Sequence, residues 1–157
     1  MQNALLRAAL LALLMGFVLC ARAQSEADYM KLVQAQAAAW SQSVDHLVDT
    51  FTDDVIYEDV PLGLVSKGRE EMRKFASGFF NAFPDLKSTI VSVVISGDKA
   101  AFEWLFEGTQ AGELAGIPAS NKRMSLRGMS FAEFANGKVK RQVDYWDMGT
   151  LVKQLSK

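Results

Sequence analysis

Residues 123–147 read RMSLRGMSFAEFANGKVKRQVDYWD, and this stretch decides the fold. Two runs that alternate apolar and polar side chains flank Asn136-Gly137, the dipeptide that best suits a two-residue hairpin turn. The pattern predicts long strands over 123–134 and 138–147, paired antiparallel. In the second strand, alternation sets Lys140, Gln142, Asp144 and Trp146 on one face and Arg141, Val143, Tyr145 and Asp147 on the other. In the first, Arg127 shares a face with Met129 and Phe131. An Arg among apolar neighbours needs a partner, and either Asp144 or a carboxylate on a bound molecule could supply one.

Working outward toward the N-terminus, residues 87–96 are rich in β-branched side chains, Gly97-Asp98 makes a turn, and 99–107 continues as a strand with Phe102, Trp104 and Phe106 on one face. Short strands are expected at 55–58 and 64–66. Ahead of them the period is helical. Met30, Val33, Ala37 and Trp40 form one stripe, and Val44, Leu47, Val48 and Phe51 form a second behind Ser43 as N-cap. Met72, Phe75, Phe79 and Phe83 form a third, which Pro84 stops. A short helix at 150–155 follows the last strand. Long strands joined by turns, with helices to cover one face, imply an α+β fold on an antiparallel sheet.

The composition suits this reading. Of 157 residues half are apolar, with 10 Phe and 3 Trp, enough for one core. Net charge is −1, from 17 basic and 18 acidic residues, which leaves no basic surplus for nucleic acid. One His and one Cys exclude a Cys/His zinc site, and neither a metal nor an organic cofactor is expected. His46, beside Asp45 and Asp49, reads as a surface residue of the second helix.

Residues 1–23 have the three parts of a secretory signal peptide: Arg7 in a polar start, an apolar run over 8–19, and Ala21-Arg22-Ala23 before the cleavage point. The run is short for a membrane span, so no stable membrane insertion is expected after cleavage. Cleavage would leave one domain over 24–157, secreted or periplasmic, with a net charge of −3 and without Cys20, hence without a disulfide.

Several strings carry a family resemblance. Residues 51–59 (FTDDVIYED) are similar to the segment after the second helix in ketosteroid isomerases and SnoaL-like polyketide cyclases. Residues 82–86 (AFPDL), 108–118 (GTQAGELAGIP) and 137–147 (GKVKRQVDYWD) resemble the SnoaL-like, or ester cyclase, branch of the nuclear transport factor 2-like superfamily. The resemblance spans about 28–156. It implies a cone-shaped α+β fold: a curved antiparallel sheet with three N-terminal helices packed on its concave face.

The resemblance also implies roles. Asp144 falls where SnoaL-like cyclases keep an acid/base aspartate, and Asp59 where ketosteroid isomerases keep their general base. Asp59 could equally be a turn residue ahead of Pro61-Leu62-Gly63. The isomerase oxyanion tyrosine would fall near Ala35 and its acid partner near Gly128 to Ser130, where no matching donors stand, so steroid isomerisation is not expected. Ser130 takes the position where the cyclases often carry a His. Trp40, Tyr57, Trp104 and Trp146, with Arg127 and Ser130, complete the expected binding site, although Trp40, Tyr57 and Trp104 could simply fill the core. The loop 111–122 would border the mouth, with Leu114 and Ile117 exposed. The partner is then a small apolar molecule. Three readings stay open: a cofactor-independent cyclase, isomerase or hydrolase working by aspartate acid/base chemistry, a non-catalytic binder, or a scaffold. A homodimer is also expected, because strand 87–96 is apolar on both sides, with Val91, Val93 and Ile95 on one and Ile90 and Val94 on the other.

Overall fold

The computed structural model describes residues 24–156; the expected signal peptide at 1–23 lies outside them. Helix α1 (Glu26–Trp40) opens with a capping box in which Ser25 and Asp28 satisfy each other's backbone N–H groups. Helix α2 (Val44–Asp49) is capped by Ser43 as expected. Strand β1 (Phe51–Asp59), strand β2 (Leu64–Lys67) and helix α3 (Gly68–Ala82) follow. Strands β3 (Lys87–Ser96), β4 (Lys99–Thr109), β5 (Arg123–Ala135) and β6 (Lys138–Trp146) then lead to helix α4 (Met148–Leu155). The third helix therefore comes after the first hairpin, and β1 is longer than the sequence pattern suggested. Among the described residues no helix is long and apolar enough to cross a membrane.

The six strands form one sheet in the order β2-β1-β6-β5-β4-β3. All neighbours are antiparallel except β1 and β6, which run parallel. The expectation of a wholly antiparallel sheet is corrected here, because β1 reaches β6 through a long crossover rather than a hairpin. The β5–β6 turn is as expected: Asn136 and Gly137 both have positive φ, 52° and 74°, which is what a type I′ turn requires.

Bulges in β6 and β3 move residues off the simple alternation. In β6 the register shifts between Glu133↔Arg141 and Phe134↔Val139. Val139 is thereby buried and Lys140 exposed, so Lys140 does not share a face with Gln142 and Asp144. In β3 the shift lies between Ile90 and Ser92. Val91 is the extra residue and is exposed, while Ile90, Val93 and Ile95 all pack on the core. The predicted division of that strand is thus replaced by an inner row of three and an exposed Val91 and Val94.

The core lies between the helices and the inner face of the sheet. Leu47, Phe51, Val55, Met72, Phe83 and Val139 are fully buried in it. Arg69 and Arg73 on α3 pair with Asp49 and Asp45 on α2, which ties the two helices together over one side of the cone.

Candidate functional site

β5 and β6 supply the floor of the site by simple alternation. Gly128, Ser130, Ala132 and Phe134 point inward from β5, and Gln142 and Asp144 from β6, with Ser130 directly opposite Asp144. β1 contributes Val55, Tyr57 and Asp59 to the same side. The parallel pairing sets Tyr57 beside Gln142 and Asp59 beside Asp144. The two candidate carboxylates are thus next-door neighbours on adjacent strands, whose axes lie about 4.8 Å apart. Nothing local in either segment announces this.

Asp144 is 6% exposed, and among the described residues it forms no ion pair. Its Oδ1 accepts hydrogen bonds from Ser130 Oγ at 2.6 Å and Gln142 Nε2 at 2.8 Å, and its Oδ2 accepts from Tyr57 Oη at 2.6 Å. A second layer holds these donors. Gln36 Nε2 on α1 donates to Gln142 Oε1 at 2.8 Å, and Trp104 Nε1 donates to Ser130 Oγ at 2.9 Å. Burial, with a smaller push from the charge of Asp59, outweighs the pull of the three donors and raises the Asp144 carboxyl from 3.8 to about 6. Burial, reinforced by the charges of Asp144 and Asp59, holds the Tyr57 phenol well above its ordinary value, so it remains a donor.

Asp59 holds the turn that the sequence suggested and also lines the pocket. Its Oδ1 accepts from the backbone N–H of Leu62 at 2.9 Å, which fixes the β1–β2 turn, and its Oδ2 accepts from Trp146 Nε1 at 2.9 Å. Burial raises its proton affinity, against the pull of these two donors.

An apolar pocket opens on both carboxylates. It encloses about 380 Å³ free of atoms, its open mouth included. Trp40, Tyr57, Trp104, Phe106 and Trp146 line it with Asp59 and Asp144, α3 adds Phe75 and Phe79, and among the described residues no Lys, Arg or His takes part. Leu114 is part of this wall and buried, and Ile117 is half-buried, so the expected exposure of the pair is corrected; a two-residue bridge between them folds the loop against the pocket.

Arg127 is the clear miss. It sits on the outer face of β5, two-thirds exposed, with Nη2 3.2 Å from Glu103 Oε1. The apolar neighbours that suggested a buried Arg, Met129 and Phe131, face outward with it. His46 is exposed, bonded to Ser43, as expected. Sequence reasoning passed over Gln36 and Gln142. The signal for Gln36 was present: it lies on the Val33–Ala37–Trp40 stripe of α1, and a polar residue on an apolar stripe needs a buried partner. Among the described residues no group of three or more His, Cys, Asp or Glu is arranged to hold a metal ion.

TsrD from Streptomyces laurentii is similar in structure, with a TM-score of 0.76 and 28% identity over 85% of this chain and 98% of that one. A candidate SnoaL-like polyketide cyclase from Jannaschia sp. CCS1 superposes with a TM-score of 0.75 at 19% identity, over 83% of this chain and 92% of the other. A protein of ketosteroid isomerase-like fold from Catenulispora acidiphila, in complex with trimethylamine, does so with a TM-score of 0.71 at 20% identity, over 80% and 92%. No curated protein matches the sequence. The profile of the SnoaL-like polyketide cyclases matches residues 30–155, nearly all of the folded part, and the chain belongs to that family.

Proposed function

We propose that the chain is an exported, cofactor-independent enzyme of the cyclase or isomerase type, in which Asp144 moves a proton to or from a small, uncharged, largely apolar carbonyl compound. The observation that carries this reading is a carboxylate at the end of an apolar pocket with a proton affinity of about 6. Such a group is ionised at neutral pH, yet basic enough to accept a proton from carbon next to a carbonyl. The lining, which has two carboxylates and no cation, repels anionic substrates. Asp59, beside it and also raised, would return or relay the proton.

Solvent exchange tests this. 2-Tetralone, incubated with the protein in deuterated water, should exchange its α-hydrogens faster than in buffer, as followed by proton NMR. Asp144→Asn should lose that acceleration by a factor of about 10²–10⁴, the usual value of one acid/base group. Unchanged exchange in the mutant, or no acceleration across a panel of small ketones, ends the acid/base reading.

A second reading, the non-catalytic binder, draws on a different observation: five donors already occupy the oxygens of Asp144 and Asp59. Retained ligand binding without exchange would favour it.

We further propose export and a homodimer. The outer face of the sheet supports the dimer. Met129 lies opposite Tyr145 there, both about half exposed, and Val94 and Phe131 occupy the adjoining row. Light scattering at micromolar concentration should give twice the chain mass, and Met129→Lys should halve it.

A further inference from the structure

A second cavity adjoins the first. It is lined by Gln36, Ser88, Ile90, Phe102, Ser130 and Gln142, and spans about 240 Å³ free of atoms, its opening to solvent included. Trp40, Trp104, Phe106 and Asp144 line both cavities and therefore form the wall between them. The three rings pack at tilted angles: Trp104 and Phe106 have centroids 4.6 Å apart, and Phe106 and Trp40 5.4 Å. On one side the wall faces Phe75, Phe79, Leu126 and Leu151; on the other it faces two amides and two hydroxyls.

Trp104 is held in this wall by two independent features. Its Nε1 donates to Ser130 Oγ at 2.9 Å. Directly across the β4–β5 ladder stands Gly128, and a Cβ there would lie 2.1 Å from Cζ2 and 2.2 Å from Cη2 of the indole. No side chain fits under that ring, so the glycine is what allows the indole to lie flat against β5.

We propose that Trp104, seated on Gly128, sets the length of the ligand. It closes the apolar chamber at Asp144 and separates it from a neighbouring chamber whose chemistry, Gln36, Ser88 and Gln142, would accept a hydroxyl-bearing tail. The protein as it stands takes a compact apolar group. Removing the indole joins the chambers and admits an apolar ring with an alcohol on a chain of several carbons. The proposal rests on the pocket being the ligand site but not on proton transfer by Asp144.

Calorimetric titration with benzyl alcohol, 2-phenylethanol, 4-phenyl-1-butanol and 6-phenyl-1-hexanol tests it on the full chain. The unmodified protein should bind the short members best. Trp104→Ala should move the optimum to the long ones, with a gain of at least about tenfold for 6-phenyl-1-hexanol, since each added methylene in a fitted apolar pocket is worth roughly that much or more. Adding Gln36→Leu should take most of that gain away, because the hydroxyl then meets no amide. Gly128→Ala, which pushes the ring aside without deleting it, should shift the optimum in the same direction and guards against a Trp104→Ala chain that does not fold. The same chain-length optimum in the unmodified protein and both single variants overturns the proposal alone. No binding of any of the four alcohols to any of these chains overturns the ligand pocket, and the proposal with it.

Discussion

β5 and β6 present two faces built from the same residues in alternation, and the faces handle charge in opposite ways. On the outer face, carboxylates meet guanidinium groups: Glu103 with Arg127, Glu133 with Arg141 and, at 4.0 Å, Glu107 with Arg123. On the inner face Asp144 meets only neutral donors, from Tyr57, Ser130 and Gln142. A guanidinium partner stabilises the ionised carboxyl and lowers its proton affinity. Three neutral donors offset only part of the cost of burial, and the group ends at about 6. The fold thus places its paired charges in water and its buried carboxylates, Asp144 and Asp59, against a pocket.

The largest test of that contrast is the pH dependence of stability. The Asp144 carboxyl stands at about 6 in the folded chain against 3.8 for an unperturbed one. Between those values the folded state binds more protons than the unfolded state, so stability falls as pH rises. The contribution is full below about pH 4, is lost by about pH 7, and amounts to about 3 kcal/mol. Denaturant melts at pH 4 and pH 7 should show this difference in the unmodified chain relative to Asp144→Asn, which carries no such titration. Equal slopes in the two would mean that Asp144 is not buried as a charge. Gly128→Ala should cost about 1–3 kcal/mol, the price of overpacking, because the Trp104 ring lies where the methyl must go. Tyr57→Phe removes one donor from Asp144, at about 1–2 kcal/mol. It should also raise the Asp144 carboxyl above 6, which carbon-detected NMR titration reads directly; a value that stays put would show that Tyr57 does not help to hold the anion.

Much of this was legible in the sequence, for physical reasons that can be named. The hairpin turn at Asn136-Gly137 requires positive φ, so its dipeptide identified it. The caps at Ser43 and the stop at Pro84 are local chemistry, and the inward placement of Asp144 with Gln142 followed from period-2 alternation. Three features were not legible. Bulges at Val91 and at Lys140 break alternation without a sequence mark. The parallel pairing that brings Asp59 beside Asp144 depends on two segments some 85 residues apart. The face of β5 to which Arg127 belongs depends on which side the helices cover, and both sides of that strand carry large apolar residues: Met124, Leu126 and Phe134 inward, Met129 and Phe131 outward.

Arg127 therefore gives the smallest effect and the sharpest check on which face is which. Were it the partner of Asp144, its removal would leave a buried carboxylate uncompensated, at about 3–5 kcal/mol. On the outer face it holds only Glu103, at 3.2 Å, with its side chain 67% exposed. Water and salt screen such a pair, and its formation orders two long side chains, so Arg127→Ala should change the free energy of unfolding by less than about 0.5 kcal/mol. Whatever effect remains should fade in 1 M salt, where the screening length falls to about 3 Å. The same substitution also probes the proposed dimer. Arg127 neighbours Met129 on the strand that would carry the interface, and covering the face by a second copy would take its ion pair out of water. A loss of stability that grows with protein concentration would then place Arg127 at the rim of that interface, whereas a large loss independent of concentration would return it to the inner face and undo the assignment of Asp144 to neutral donors.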